Sequence, residues 1–189
     1  MRKLVVVIAG PSGVGKDSVM QELVSKHPHI YSKFANTTTR EKRVGEVEGV
    51  NYYYVTQAEF LRRTEVGEVF EHVHHYGNYY GMSKKAIEGV WASGKIAINN
   101  CQINGIRETK KLYGNNCLTV FIKASRRDVE ERLIKRGDDE EKRKIRLADY
   151  EEFMALEPEF DYAIENKNLD KAVDELHKVI VNYLERSST

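Results

Sequence analysis

Apolar residues along the chain fall into two patterns, one typical of buried strands and one typical of amphipathic helices. Residues 4–9 (LVVVIA) form an unbroken run rich in β-branched side chains, as in a strand buried on both faces of a parallel sheet. Residues 95–98 and 118–122 repeat this pattern. Helical spacing of apolar residues follows each run, at residues 15–26, 102–112 and 126–136. The alternation of strands and helices predicts an α/β fold with a mainly parallel sheet.

The segment between the first helix and the second buried strand has a different pattern. Residues 52–55 and 69–73 read as short strands, and Thr56 with Glu59 has the spacing of a cap that opens a helix between them. We therefore predict an inserted α+β lobe at residues 36–82.

The C-terminal third is predicted to be mostly helical. Ser125 with Asp128 resembles a capping box at the start of the third helical stretch. Residues 136–147 carry many charges and few apolar residues, which favours an exposed and mobile helical segment. A final helix is expected at about 169–186, with an apolar stripe formed by Leu169, Val173, Leu176, Ile180 and Leu184.

Composition and charge narrow the class of protein. The 189 residues carry a formal net charge of +1, which gives no long-range attraction to nucleic acid or membrane. No apolar run is long enough to span a bilayer or form a signal-peptide core. Cys101 and Cys117 lie in no CxxC pattern. We expect a cytoplasmic protein that binds neither nucleic acid polymers nor membranes and has no obligate protein partner.

The clearest chemical motif lies directly after the first predicted strand. Residues 10–16 read GPSGVGK, and a predicted helix follows at once. Glycines at these positions let backbone N–H groups converge on phosphate oxygens, while Lys16 supplies a mobile cation for the β- and γ-phosphates. The motif therefore predicts a nucleotide-phosphate loop, with ATP contacts from Ser12, Gly13, Val14, Gly15 and Lys16.

Asp17 is unusual at the position after the motif lysine, where Ser or Thr normally binds Mg²⁺. Its carboxylate has three possible roles. It could bind the metal directly, since Mg²⁺ favours carboxylate oxygen. It could repel the triphosphate and leave Ser18 to bind the metal. It could also simply be an acidic residue in the first turn that interacts favourably with the helix dipole.

Several further motifs resemble the guanylate kinase family in order and spacing, over nearly the whole chain. They read TTTREKR at 37–43, Gly45-Glu46, Gly49 with Tyr52, Phe70-Glu71, GNYYG at 77–81, Arg132-Leu133 with Arg136-Gly137, Arg146-Leu147 and Asn166. The resemblance implies a P-loop nucleoside monophosphate kinase fold, an ATP-dependent phosphoryl transfer to GMP, and Mg²⁺ as the cofactor. It also implies one domain over 1–189, with a core (1–35, 83–125 and 158–189), the acceptor-binding lobe (36–82) and a lid (about 126–157).

The resemblance assigns roles to matching residues. Arg40, Arg43, Tyr52 and Tyr80 match positions that grip the acceptor phosphate, and planar arginine forks suit a phosphate dianion. Glu71 matches the carboxylate that accepts the N1–H and amino group of guanine. The lid and nucleotide positions, expected to neutralise charge on the transferred phosphoryl group or to lie near adenine, are matched by Arg132, Arg136, Arg146 and Asn166.

Departures from the family pattern cluster at the acceptor and metal positions. Asn36 stands where Ser is usual, and Met82 stands where Ser or Thr contacts guanine. Asn100 and Gln102 replace two aspartates, one of which supports the metal's water shell in the family. These exchanges keep hydrogen-bonding capacity at 100 and 102 but remove charge, and they remove a hydrogen bond at 82. They leave the acceptor identity open.

Two alternatives to a GMP kinase follow. One is a kinase with a changed acceptor, either another nucleoside monophosphate or a sugar phosphate. The other is a non-catalytic module that binds phosphopeptides through the acceptor lobe, although such modules usually lose the glycine loop that this chain retains. A zinc site at His72, His74 and His75 is disfavoured, because no Cys or carboxylate completes a ligand set nearby.

Overall fold

A computed structural model describes residues 3–75 and 77–186. The outer ends of the predicted core, residues 1–2 and 187–189, lie outside this described part, as does residue 76 of the predicted lobe. The strands are β1 (Val5–Ala9), β2 (Tyr31–Lys33), β3 (Asn36–Thr38), β4 (Tyr52–Tyr54), β5 (Val69–His75), β6 (Asn78–Ser83), β7 (Ile96–Asn100), β8 (Cys117–Lys123) and β9 (Tyr162–Glu165). The α-helices are α1 (Lys16–Lys26), α2 (Gln57–Glu65), α3 (Lys84–Ala92), α4 (Ile103–Tyr113), α5 (Arg126–Lys135), α6 (Glu140–Ala148), α7 (Tyr150–Met154) and α8 (Leu169–Arg186).

The larger sheet has the strand order β2-β7-β1-β8-β9, and every pairing in it is parallel. All five residues of β1 are buried, as expected for a central strand with helices on both faces. The register places Ile8 of β1 opposite Asn100 of β7 and Val120 of β8. The carboxyl ends of these strands therefore meet at one edge of the sheet, which is where ligands bind in open α/β sheets.

The smaller sheet has the order β4-β3-β6-β5 and is mixed. Strand β3 pairs parallel with β4 and antiparallel with β6, and β6 pairs antiparallel with β5. Helix α2 begins where predicted, because the Thr56 side chain accepts a hydrogen bond from the Glu59 amide at 3.2 Å. This sheet and α2 lie almost entirely within the segment predicted as a lobe, residues 36–82.

Two clusters of buried apolar side chains lie in the core. One joins β1 and β8 to helices α1, α5 and α8 through residues such as Val6, Met20, Leu133 and Leu176. The other includes Val5 and Val7 of the same strand, with Ile87 of α3 and Ile106 of α4. Alternate residues of β1 thus pack into clusters on opposite faces of the sheet, and this packing holds the carboxyl end of the strand in place.

The mainly parallel α/β fold is confirmed, and all three predicted buried strands are present. Strand β7 is longer than expected and ends at Asn100, and strands β2, β3, β6 and β9 were not predicted. Helix α6 has no buried residue, as its charged sequence indicated. Leu169 was wrongly included in the apolar stripe of α8, because at the first position of that helix it is 38% exposed.

Candidate active site

The phosphate-binding loop leaves the carboxyl end of β1 and leads directly into α1. Gly10 has φ +147°, and a Cβ on it would lie 2.0 Å from the backbone oxygen of Ile122. Gly15 has φ +91°, and its Cβ would lie 2.5 Å from Nδ2 of Asn166. Both positions therefore require glycine, since any side chain would clash and would disfavour the left-handed backbone. The glycine pattern thus reflects the tight course of this loop.

Lys16 folds back over the loop. Its Nζ donates to the carbonyl oxygens of Gly10 at 2.8 Å and Pro11 at 2.9 Å. Burial lowers the pKa of Lys16 from its usual value, and the nearby Asp17 carboxylate opposes that shift. The ammonium group is therefore held beside the loop by neutral acceptors, which a phosphate oxygen can replace favourably.

Two side chains hold the loop in place through hydrogen bonds to the Val14 carbonyl. Asn166 is 4% exposed and donates from Nδ2 to the Val14 carbonyl at 2.8 Å. Arg132 donates from Nη1 to the same carbonyl at 3.0 Å and from Nη2 to the backbone oxygen of Asn166. Both residues were predicted to contact nucleotide, and the structure brings them together under the loop. Asn166 Oδ1 is buried and has no hydrogen-bond partner among the described residues.

Asp17 and Asn100 meet at the edge of the sheet. Asn100 Nδ2 donates to Asp17 Oδ1 at 2.6 Å, which joins the first turn of α1 to the end of β7. Asp17 and Ser18 are both exposed. An acid and an amide thus meet at two of the positions that depart from the family pattern, and the amide binds only one carboxylate oxygen of Asp17.

A cavity of about 480 Å³ lies between the loop and the smaller sheet. Its walls bring together most of the predicted acceptor and loop residues, namely Gly10, Ser12, Lys16, Asn36, Glu71, Tyr80, Met82, Asn100 and Gln102. Asp149 and Phe153 also line the cavity and were not predicted from the sequence. We call this space the central cavity.

Glu71 contributes the carboxylate of the central cavity. Burial raises the pKa of Glu71 above its usual value, and Glu108 adds a smaller effect in the same direction. In the described part of the chain, no Lys, Arg or His forms a salt bridge with it. A desolvated carboxylate without a cation is costly, so this group is available to a ligand that donates hydrogen bonds.

Arg40 lies in a cage of rings and carboxylate. Its guanidinium carbon is 5.5 Å from the centroid of Tyr52 and 5.8 Å from that of Tyr54, and its Nη2 donates to Glu46 Oε1 at 2.7 Å. Glu46 also accepts from the Arg43 backbone at 2.8 Å and from the Tyr54 hydroxyl at 2.7 Å. These contacts, the Arg40 bond first, lower the pKa of Glu46 to about 2. Glu46 and Tyr54 were not predicted as site residues, because only the fold shows that both contact Arg40.

The tyrosines predicted for the acceptor phosphate also converge. The rings of Tyr52 and Tyr80 lie edge to face, with centroids 6.0 Å apart. Arg43 is exposed on the loop before β4. Met82 is only 1% exposed and packs into the core cluster that contains Ile87 and Ile106, and it also lines the central cavity.

The two remaining predicted arginines meet at Asp138, whose side chain is 12% exposed. Arg136 binds Asp138 through Nε at 3.1 Å and through Nη2. Arg146 places Nε 3.1 Å from Asp138 Oδ2, and its Nη1 donates to Ser12 Oγ at 3.0 Å. Arg146 thus links the Asp138 carboxylate to the phosphate-binding loop, with Nη1 directed at Ser12.

The histidine cluster lies outside this site. His72, His74 and His75 are all exposed, and the first two pack against the ring of Tyr79. Across residues 3–75 and 77–186, no three His, Cys, Asp or Glu side chains form a metal-binding group. No helix in the same residues is long and apolar enough to cross a membrane.

Comparisons with known proteins agree with the geometry. The profile of the guanylate kinase family matches residues 1–183. A guanylate kinase of Carboxydothermus hydrogenoformans is 37% identical over 180 residues, which cover 94% of this chain and 87% of that protein. A guanylate kinase of Chlorobium chlorochromatii is 35% identical over 183 residues, covering 95% of each chain.

A solved structure supports the fold. The crystal structure of guanylate kinase from Anaplasma phagocytophilum superposes with a TM-score of 0.68, at 24% identity and with coverage of 95% of this chain and 85% of that one. At this identity the structural match speaks for the fold, while the sequence matches carry the family assignment. The chain belongs to the guanylate kinase family.

Proposed function

We infer that this chain is a guanylate kinase, which transfers the γ-phosphoryl group of ATP to GMP and yields ADP and GDP. The observation that carries this function is the central cavity, which is lined both by the phosphate-binding loop and by Glu71, a carboxylate with no cationic partner among the described residues. The loop suits a nucleoside triphosphate, and the carboxylate suits the donor edge of guanine.

The donor side of the site consists of the loop and its supports. Successive N–H groups of Ser12, Gly13, Val14 and Gly15 are proposed to bind the phosphates of ATP at the start of α1. Lys16 would exchange its two carbonyl partners for phosphate oxygens. Arg132 and Asn166 would act mainly by fixing the Val14 carbonyl, and so the loop, in its binding conformation.

The acceptor side lies in the smaller sheet. Arg40 and Arg43, with Tyr52 and Tyr80, are proposed to hold the phosphate of GMP, and Glu71 to accept from guanine N1–H and the 2-amino group. Glu46 orients Arg40 through a hydrogen bond of 2.7 Å. Asn36, Met82, Asn100 and Gln102 complete the acceptor wall.

Phosphoryl transfer needs no covalent intermediate with the protein. A phosphate oxygen of GMP forms the new bond to the γ-phosphorus as the bond to the bridging oxygen of ADP breaks. The task of the protein is to align these groups and to stabilise the charge that they share. Lys16, Arg136 and Arg146 are proposed to supply that positive charge, with Arg146 already directed at Ser12.

The donor set near the loop fits Mg²⁺, which prefers carboxylate, hydroxyl and water oxygens together with substrate phosphates. Asp17 and Ser18 would hold the ion, with Asn100 fixing one carboxylate oxygen of Asp17 at 2.6 Å. When bound with ATP, the ion neutralises charge on the β- and γ-phosphates. Asp17→Asn is expected to raise the Mg²⁺ concentration needed for half-maximal turnover, while Glu22→Gln, on the same helix, leaves it unchanged.

The proposal includes the division into a core, an acceptor-binding lobe (36–82) and a lid (about 126–157) that moves toward the loop when both nucleotides bind. It also includes a location in the cytoplasm, where ATP and GMP are available and where free thiols such as those of Cys101 and Cys117 stay reduced.

A coupled assay of ADP release with ATP, Mg²⁺ and GMP tests the function. Lys16→Ala and Arg43→Ala should each remove most of the turnover and leave the circular dichroism spectrum unchanged. Lys42→Ala is the matched control for the second variant, because it removes an equal, exposed charge next to Arg43. Near-normal rates in Lys16→Ala or Arg43→Ala would contradict the proposed roles.

A further inference from the structure

Asn99 is a buried polar residue next to the last residue of β7. It is 2% exposed. Its side chain joins the larger sheet to the beginning of the smaller one, because its partners are the backbone of Phe34 and the side chain of Asn36.

The carboxamide of Asn99 has only one orientation that satisfies its neighbours. One end lies 2.8 Å from the carbonyl oxygen of Phe34, which can only accept, so this end is Nδ2. The other end lies 2.9 Å from the backbone N–H of Asn100, which can only donate, so this end is Oδ1. Backbone groups therefore fix the amide at both ends.

The fixed amide in turn fixes Asn36. Asn99 Nδ2 has a second hydrogen to donate, and Asn36 Oδ1 receives it at 3.2 Å. The Nδ2 group of Asn36 then has no hydrogen bond within the described residues, and Asn36 lines the same cavity as Glu71. We propose that Asn99 is a positioning residue that makes Asn36 present an N–H donor, and only a donor, to the acceptor base. This inference rests on the proposed function.

The polarity of this donor suits guanine. Beyond the N1–H and 2-amino donors assigned to Glu71, guanine presents two acceptors, O6 and N7, whereas adenine has a 6-amino donor in place of O6. A hydroxyl at position 36 could donate or accept, but a carboxamide held by Asn99 can only donate. Asn36 therefore favours a 6-oxo purine and disfavours a 6-amino purine.

The test compares kcat/KM for GMP with kcat/KM for 2,6-diaminopurine riboside monophosphate, which differs from GMP by a 6-amino group and by the loss of the N1 proton. The contribution of Glu71 to this ratio is the same in every variant and cancels when variants are compared. Asn99→Leu frees the Asn36 amide to rotate and should lower the ratio about 3- to 10-fold. Asn36→Asp keeps the bond from Asn99 but presents an acceptor, and should lower the ratio about 10-fold or more.

Three controls separate positioning from a general structural role. Asn116→Asp makes the same exchange at an exposed residue just before β8, at the opposite end of the sheet, and should leave the ratio unchanged. Asn99→Leu in an Asn36→Ser background should have little further effect, because the group that Asn99 orients is absent. The ratio of GMP to 7-deaza-GMP shows whether the donor reaches O6 or N7: a drop confined to the 6-amino comparison identifies O6.

A structural role alone would lower both kcat/KM values equally and leave their ratio constant. If Asn99→Leu does not fold, Asn36→Asp decides the matter. An unchanged ratio in Asn36→Asp, with good turnover of GMP by the wild type, would overturn this inference and leave the proposed function intact. Failure of the wild type to phosphorylate GMP would instead overturn the proposed function.

Discussion

Replacing Glu71 with Gln is expected to remove activity toward GMP while making the folded protein more stable. The carboxylate is partly desolvated, has no cationic partner among the described residues, and is close enough to the carboxylate of Glu108 to be repelled by it. A neutral amide of the same shape relieves this cost. Single stabilising substitutions commonly add about 0.5–2 kcal/mol to the free energy of unfolding, and we expect a gain in this range. It corresponds to a rise in Tm of about 2–4 °C per kcal/mol in a protein of this size.

The loss of activity follows from the hydrogen bonds to guanine. An ionised Glu71 can accept from both N1–H and the 2-amino group, and each charge-assisted bond contributes about 1.5–3 kcal/mol. Gln keeps one acceptor oxygen and places an N–H donor against the other guanine donor. Losing one such bond and gaining a donor–donor conflict should lower kcat/KM for GMP about 100- to 1000-fold.

The pH dependence of the two effects has a definite sign. The pKa of Glu71 is raised in the folded state, so its ionisation costs stability as pH rises from the unfolded value, near 4.5, through the folded value. The Tm advantage of Glu71→Gln should therefore be largest at pH 8 and vanish below about pH 4.5. Conversely, kcat/KM of the wild type for GMP should fall as pH drops through the raised pKa, because the protonated acid no longer accepts two bonds.

Differential scanning fluorimetry and steady-state kinetics on the same preparations test this reasoning. Glu108→Gln is the matched control: it should move the fall in kcat/KM to lower pH and leave the rate at pH 8 nearly unchanged. Two results would contradict the proposed role of Glu71: Glu71→Gln keeps the wild-type kcat/KM for GMP, or it loses both activity and several degrees of Tm. The second result would show a structural carboxylate with an unrecognised partner.

The structure supports three further predictions. Lys16→Met should lower kcat at least about 100-fold with little change in Tm, as measured by the coupled assay and by thermal melts. Asp138→Asn should lower kcat about 10-fold with KM for GMP unchanged, because Arg136 and Arg146 lose their common anchor. Asp139→Asn keeps a side-chain oxygen that can cap the helix and should leave kcat unchanged, and equal kcat values for the two variants would contradict the anchoring role. Burial and the stacked ring of His27, 4.1 Å away, lower the pKa of His177. The Tm of the wild type should therefore fall as pH drops below about 6.5, and the Tm of His177→Gln should fall less. Equal losses of Tm by both proteins in melts from pH 7.5 to 5 would contradict this prediction.

The sequence predicted the three central strands of the larger sheet, because each is a continuous apolar run rich in β-branched residues. The apolar runs at residues 4–9 and 118–122 favour a buried parallel strand over any other element. Strand β3 (NTT) escaped prediction because its buried residues are threonines, whose burial depends on the neighbouring strands. Strand β9 is only four residues long and carries little periodicity. Tertiary context, rather than local pattern, determines these elements.

The candidate site likewise contains features that the sequence predicts and features that it does not. The glycine loop was predictable because backbone geometry demands particular residues at fixed spacing. The roles proposed for Glu46, Tyr54 and Asn99 were not predictable, because each depends on a contact that only the folded chain creates and that no sequence motif encodes. The orientation of a side-chain amide depends on both of its neighbours at once, and no local pattern encodes this.

The most direct test of the central claim is a competition assay with labelled donor. The purified protein, Mg²⁺ and ATP labelled in the γ-phosphoryl group are incubated with equal concentrations of GMP, AMP, CMP and UMP, and the labelled diphosphates are separated by anion-exchange chromatography. If the chain is a GMP kinase, nearly all the label transferred to a nucleotide appears in the β-phosphate of GDP. Label mainly in another diphosphate, or no transfer under conditions where the protein is folded, would contradict it.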